Sequence, residues 1–232
     1  MTIYTGTSGY SYKEWKGIFY PEKLPANKML GFYAAELPAV EINNTFYRLP
    51  KVSVLEQWRG QVPESFRFII KASRRITHIK RLKNAEDETA YLFDTLKSLQ
   101  GSLGVVLFQL PPFLRKDLER LENFLDTLPA GSRAAFEFRH QTWYDDEVYT
   151  LLRQHNAALC LADSGGEHDA PHEATADWGY LRLRREDYSD EDLSGWKKFI
   201  NAQGWQNTYV FFKHEDAGAG PRMAKAFLER FT

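Results

Sequence analysis

One cysteine, Cys160, stands in 232 residues, so neither an intramolecular disulfide framework nor a cysteine zinc cage can form within the chain. That usage fits a reducing compartment, and the expected location is cytoplasmic. Excess charge of either sign is also missing. Thirty Lys and Arg face 31 Asp and Glu, a formal net charge of −1, which removes bulk attraction to nucleic acid or anionic membrane. No apolar run approaches the roughly 18 residues of a spanning helix. Residues 1–8, MTIYTGTS, carry neither the basic start nor the apolar stretch of a secretory leader. Membrane is therefore not an expected partner. Low-complexity tracts and Gly/Ser or Pro-rich linkers are absent, so residues 1–232 are expected to form a single domain. No G-x-S-x-G, P-loop, H-E-x-x-H or organic-cofactor motif occurs, and the identity of any cofactor stays unknown.

What the chain does have is eight short β-rich apolar runs, at 3–8, 39–43, 66–72, 104–110, 133–139, 157–163, 179–184 and 208–214. Segments with helical periodicity lie between them, an alternation that argues for βα units and a parallel sheet. In 84–100, Leu92, Leu96 and Leu99 share a face behind Asn84, a candidate N-cap. In 116–128, Leu118, Leu121, Leu125 and Leu128 form a stripe ended by Pro129 and Gly131. Further faces surround Leu30 and Tyr33; Val148, Leu151 and Leu152; Leu193, Trp196 and Ile200; and Met223, Phe227 and Phe231. Residues 164–176, SGGEHDAPHEATA, lack such a face and contain Gly-Gly and Pro, so a loop is expected where a sixth helix would stand. The pattern predicts a compact TIM-type (β/α)8 barrel with the helix after strand six short or missing. A doubly wound sheet is the competitor. Gly6-Thr7-Ser8-Gly9 after the first strand is not the G-x-G-x-x-G turn that fold would use.

In a barrel, strand side chains alternate between helix layer and interior, and active sites gather at the carboxyl ends of the strands. Glu41 and Asn43 of VEIN, and Glu137 and Arg139 of FEFR, would point inward. Lys71, Gln109, Asp163, Arg182 and Lys213 or His214 close or nearly close other strands. Glu41, Glu137 and Asp163 against Lys71, Arg139, Arg182 and Lys213 leave a slightly cationic mouth. It would suit a small anionic substrate, with Arg clamping phosphate or carboxylate and a carboxylate moving the proton. A satisfied polar plug is the alternative reading of the same groups. Lys71 and Lys213 would serve as Schiff-base lysines only if desolvated, and ion pairing is the default expectation beside so many carboxylates. Cys160 reads as an outward-facing packed hydrophobe.

The stretch KASRRITHIKRLK, residues 71–83, carries six Lys or Arg and His78 without an acid. It is either a solvated loop offset by the acidic EDYSDED at 186–192 or a phosphate or nucleic-acid contact surface. Tyr10, Tyr12, Trp15, Phe19 and Tyr20 crowd the loop after the first strand, and Phe46 and Tyr47 follow the second. Most should cap the barrel end, with one or two rings, Tyr10 and Tyr47 the candidates, facing a ligand. Metal signals are thin. His168 and His172 are separated by Pro171, which reads as a polar loop. Glu41, Glu137, Asp163 and His214 would make an oxygen-rich divalent site only if the fold brings them together.

GTSGYSYKEWKGIFYPEKLP, YAAELPAVEINNTFYRLP, FRFIIKASRRITH, LGVVLFQLPPFL, AAFEFRHQTWY and LCLAD together resemble the YecE-like family, a domain of unknown function numbered 72. The resemblance runs through nearly the whole chain. It implies a TIM-barrel fold and leaves the reaction open. Family members usually end strand seven in an Arg-x-His-Gly type sequence and strand eight in a Phe-Asn-Asn type sequence. Here those places read Arg182-Leu183-Arg184-Arg185 and Phe212-Lys213-His214-Glu215. Activity resting on those segments would be altered here.

The expectation is thus an enzyme using acid/base chemistry on a small, phosphorylated sugar-like or nucleoside-like substrate at the barrel mouth. Glu41, Glu137 and Asp163 are the catalytic candidates. Asn43, Lys71, His78, Gln109, Arg139, Arg182, Tyr10 and Tyr47 are the binding candidates, and no residue is assigned to a metal. The alternative is a non-catalytic nucleic-acid or nucleotide binder using the 71–83 loop and the first-loop aromatics.

Overall fold

The structure is a computed structural model that describes residues 1–166, 169–213 and 218–231. The apolar runs form β1 (Thr2–Ser8), β2 (Ala39–Ile42), β3 (Arg67–Lys71), β4 (Leu103–Gln109), β5 (Ala134–Glu137), β6 (Ala158–Asp163), β7 (Trp178–Leu183) and β8 (Asn207–Phe212). Every neighbouring pair is parallel, and the register from Thr2↔Asn207 to Thr7↔Phe212 joins β1 to β8 into a closed barrel. Around it run α1 (Met29–Glu36), α2 (Val52–Arg59), α3 (Glu86–Leu96), α4 (Leu118–Leu125), α5 (Asp146–Gln154), α6 (Asp190–Ala202) and α7 (Ala219–Leu228). Between β6 and β7 the described residues, 164–166 and 169–177, include no helix. None of the described helices is long and apolar enough to cross a membrane.

Strand periodicity divides the core in two. Val40, Phe68, Ile70, Val106, Phe108 and Phe136 turn outward onto the helices. Ile69, Val105, Leu107, Ala135, Tyr209 and Phe211 fill the interior. Tyr4 stacks on Tyr209 at 5.0 Å between ring centroids and closes the amino-terminal end. Arg67 lies over the Tyr4 ring at that end, 5.4 Å from its centre, and the carboxylates of the interior, Glu41 and Glu137, stand at the other. Cys160 corrects the expected parity, since it packs inside the barrel with Ala158 and Tyr180. Gly6 is required where β1 meets β2, because a Cβ there would lie 1.9 Å from the Ala39 carbonyl oxygen.

Helix starts follow local chemistry. Asp117 accepts from Arg120 N (3.1 Å), Asp145 from Glu147 N (3.0 Å), and Ser189 and Asp192 form a reciprocal capping box. Each such cap is worth about 1 kcal/mol. The expected Asn84 cap is not used: Asn84 takes φ 50° and the cap position is Ala85, without a side-chain hydrogen bond. Three acids in the first turn, Glu86, Asp87 and Glu88, offset the exposed amides there. Leu99 lies beyond α3 in a 3-10 segment, Lys97–Ser102, broken by Gln100 at φ 50°.

Candidate active site

Arg182 stands at the centre of the mouth. Its Nη1 donates to Glu137 Oε2 and its Nη2 to Glu41 Oε1, both at 2.6 Å. It is 3% exposed, and the two carboxylates are 2% and 0% exposed. Glu41 Oε1 also accepts from Ser8 Oγ (2.8 Å) and Asn43 Nδ2 (2.9 Å), and its Oε2 from Tyr180 OH (2.5 Å). Glu137 Oε1 accepts from Gln109 Nε2 (2.9 Å) and Arg139 Nε (3.2 Å), and Arg184 Nη2 lies 3.4 Å from its Oε2. Burial alone would raise both carboxyl pKa values. The charge of Arg182 outweighs it, helped by Tyr180 and Asn43 at Glu41 and by Arg139 and Gln109 at Glu137, so both are held below the ordinary carboxylate value. The alternation that places Glu41 inward also places Asn43 there, two residues on, and the same holds for Glu137 and Arg139 and for Tyr180 and Arg182.

Lys71 ends β3 and points inward, two residues after Ile69. Its Nζ lies 4.6 Å from the centre of the Phe46 ring. No carboxylate of the described residues comes within 4.0 Å of it, so the expected ion pair is not made. Desolvation and the charge of Arg182 push its pKa down to about 8, against the opposing pull of Glu137 and Glu41. His78 sits across the same ring, 4.8 Å from the Phe46 centroid, on a π-turn over Arg75–Ile79, with Nδ1 2.9 Å from Thr77 Oγ1. Partial burial, Lys71 and Arg139 push its pKa down. Lys71, Arg139, Arg182 and Arg184 thus surround two carboxylates, an excess of two positive charges.

Asp163 is a correction. The barrel-facing members of β6 include Ala158 and Cys160, so Asp163 belongs to the helix-facing set. There it accepts from Arg185 Nε (3.0 Å) and Trp196 Nε1 (3.3 Å), beside Asp192. Its removal leaves the mouth more cationic than the sequence suggests. The aromatic expectation divides. Trp15 and Tyr20 are buried as a cap, and Tyr10 packs on Tyr33 with its carbonyl accepting from Tyr20 OH. Tyr47 is 74% exposed, edge-on to Phe46. Phe46 is the ring that meets Lys71 and His78. In the basic stretch, Arg75 and Lys80 both pair with Glu88 of α3, not with the acids at 186–192. Those acids serve other partners: Asp192 pairs with Arg185, and Asp190 with Arg230.

No group of three or more His, Cys, Asp or Glu side chains fit to hold a metal occurs among the described residues. Glu41 and Glu137 turn their oxygens onto a guanidinium, which occupies the place a divalent ion would need. His168 and His214 lie outside the described residues. His172 packs against Trp196 and Phe199. Ser8, Tyr180, Arg184 and Phe46 join the site without having been singled out for it. Inward parity two residues before Arg182 marks Tyr180, and two after it marks Arg184.

Fold and mouth together define a (β/α)8-barrel protein with a cationic polar site at the carboxyl ends of its strands. Residues 4–232 match the family described as "Protein of unknown function DUF72", and the chain belongs to that family. It is similar to the UPF0759 protein YunF of Bacillus subtilis, 25% identical over 98% of this chain and 94% of that one. UPF0759 protein YecE of Escherichia coli is 32% identical over 73% of this chain and 62% of its own. The crystal structure of a DUF72 family protein from Thermotoga maritima superposes with a TM-score of 0.88 at 27% identity, covering 100% of this chain and 99% of that one.

Proposed function

We propose that this barrel is an enzyme that uses acid/base chemistry on a small anionic substrate, a phosphorylated sugar-like or nucleoside-like molecule, at its carboxyl-end mouth. The observation that carries the reading is Lys71: a half-buried amine at the end of β3 with no carboxylate of the described residues within 4.0 Å, its pKa pushed down to about 8 by burial and by Arg182. A general base is most effective when its pKa lies near the working pH. Glu41 and Glu137 are ionised, saturated with donors and buried. They orient Arg182 and set the local field, while Lys71, with His78 beside it, moves the proton. Arg139, 40% exposed in its side chain, and Arg184 are the groups that reach an incoming phosphate.

A thermal-shift series with phosphorylated sugars, nucleotides and unphosphorylated counterparts tests this. A ligand at 100 times its Kd stabilises by about 2.7 kcal/mol. The expected result is a shift with a phosphorylated compound, lost with Arg139→Ala. No shift with any anion would overturn the reading. Polynucleotide binding that falls steeply with salt and survives Arg139→Ala would favour a nucleic-acid binder in its place.

A further inference from the structure

Lysine is activated as a nucleophile when its amine is held neutral in a desolvated pocket beside other cations. The mouth meets the geometric side of that requirement. Lys71 projects inward from the end of β3, its Nζ over the Phe46 face, and the groups around it come from separate elements: Glu41 from β2, Glu137 and Arg139 from the end of β5, Arg182 from β7 and His78 from the π-turn. Both carboxylates are turned away onto Arg182. The amine is therefore not tied down by an ion pair to any described residue. The Phe46 ring forms an apolar wall, with His78 on the same ring. Arg139 and Arg184 supply the anion contact nearby.

We propose that Lys71 forms an imine with the carbonyl carbon of a small phosphorylated aldehyde or ketone whose phosphate is held by Arg139 and Arg184. The inference rests on the mouth being the substrate site and names the substrate class for it; the Lys71 amine bonds to carbon here in place of taking a proton, and His78 takes over the proton transfer. In the first step the Nζ lone pair attacks the carbonyl carbon, the C=O π pair moves to oxygen, and a proton passes from nitrogen to that oxygen, giving a carbinolamine. In the second, the nitrogen lone pair forms C=N while the protonated hydroxyl leaves as water. One water is released, and no oxidant or reductant is needed. His78, whose pKa partial burial pushes down together with Lys71 and Arg139, relays the proton to the departing oxygen. Asn43 contributes an acceptor, since its Oδ1 is buried with no hydrogen-bond partner.

Reductive trapping on the intact protein tests the proposal. Glyceraldehyde 3-phosphate and dihydroxyacetone phosphate are the probes, glyceraldehyde is the unphosphorylated control, and cyanoborohydride is the hydride donor that converts C=N to a stable secondary amine. Peptide mass spectrometry reads each lysine. At pH 7.5 Lys71 is expected to be labelled at least ~10-fold faster than exposed Lys97, because a pKa near 8 leaves far more free amine than an ordinary lysine has. Lys71→Arg, which keeps the charge, should abolish that adduct while the phosphorylated probes still raise the melting temperature. Arg139→Ala should remove the advantage of phosphorylated over unphosphorylated probe. Labelling of Lys71 no faster than Lys97, with the probes still stabilising the protein, overturns the imine and leaves the anion site standing. Neither labelling nor stabilisation overturns both.

Discussion

Two arginines three residues apart each bridge a pair of carboxylates, and they sit in opposite surroundings. Arg182, inside the barrel, joins Glu41 and Glu137, all three at 3% exposure or less in their side chains. Arg185, past the end of β7, joins Asp163 and Asp192 in the outer layer, with side chains 31%, 13% and 33% exposed. The chemistry is the same and the dielectric is not. Inside, each charge has lost its water and is held by the others and by donors fixed on neighbouring strands, so the triad is rigid and unforgiving. Outside, water replaces any partner that leaves. A near-identical list of residue types therefore yields a structural and electrostatic centre in one place and a surface clasp in the other.

Breaking the inner bridge should give the largest effect. Arg182→Met strips both buried carboxylates of their shared partner, leaving Glu137 with Arg139 and Glu41 with neutral donors, and should cost about 3–5 kcal/mol in denaturant unfolding. The pH dependence should also change sign. In the parent protein both carboxyls lie below their ordinary value, so the unfolded chain binds more protons in acid and stability is lost as pH falls through their folded values. In Arg182→Met the largest charge opposing burial is gone: Glu137 keeps Arg139 and Gln109, but Glu41 keeps only the neutral donors Ser8, Asn43 and Tyr180 within hydrogen-bond reach, so burial raises that carboxyl and stability should rise as the pH is lowered from 7 toward 5. The same downward slope in both proteins would contradict the assigned charge states. Next in size is Tyr180→Phe, which removes one donor to the buried Glu41 and should cost about 1–3 kcal/mol. Arg185→Met should cost less than about 1 kcal/mol. Smallest of all, Asp163→Asn should leave phosphate-dependent stabilisation by a mouth ligand unchanged, measured beside Arg139→Ala, which should abolish it.

The barrel is readable in the sequence because six of its seven described helices and all eight strands announce their period, and the one exception is instructive. Helix α2 buries only Leu55, so it writes no stripe into the chain. Glu41 and Glu137 are readable because each is a lone acid in a short apolar strand, and parity fixes their direction. Asp163 is misread for the opposite reason. Its strand, ALCLAD, is apolar on both faces, as buried parallel strands are, so alternation carries no information about which way the last residue turns. The ionisation of Lys71 is not readable at all, since it depends on Arg182, more than a hundred residues away, and on the carboxylates being occupied elsewhere.

Competitive labelling of lysines with acetic anhydride across pH 6 to 11, read peptide by peptide, tests most directly whether the mouth holds a lysine poised near neutrality. Lys71 is expected to titrate with a midpoint near 8, below the ordinary lysine value of about 10.4. A Lys71 midpoint at the ordinary lysine value would contradict a mouth whose carboxylates are locked onto Arg182 and whose lysine pairs with no carboxylate of the described residues.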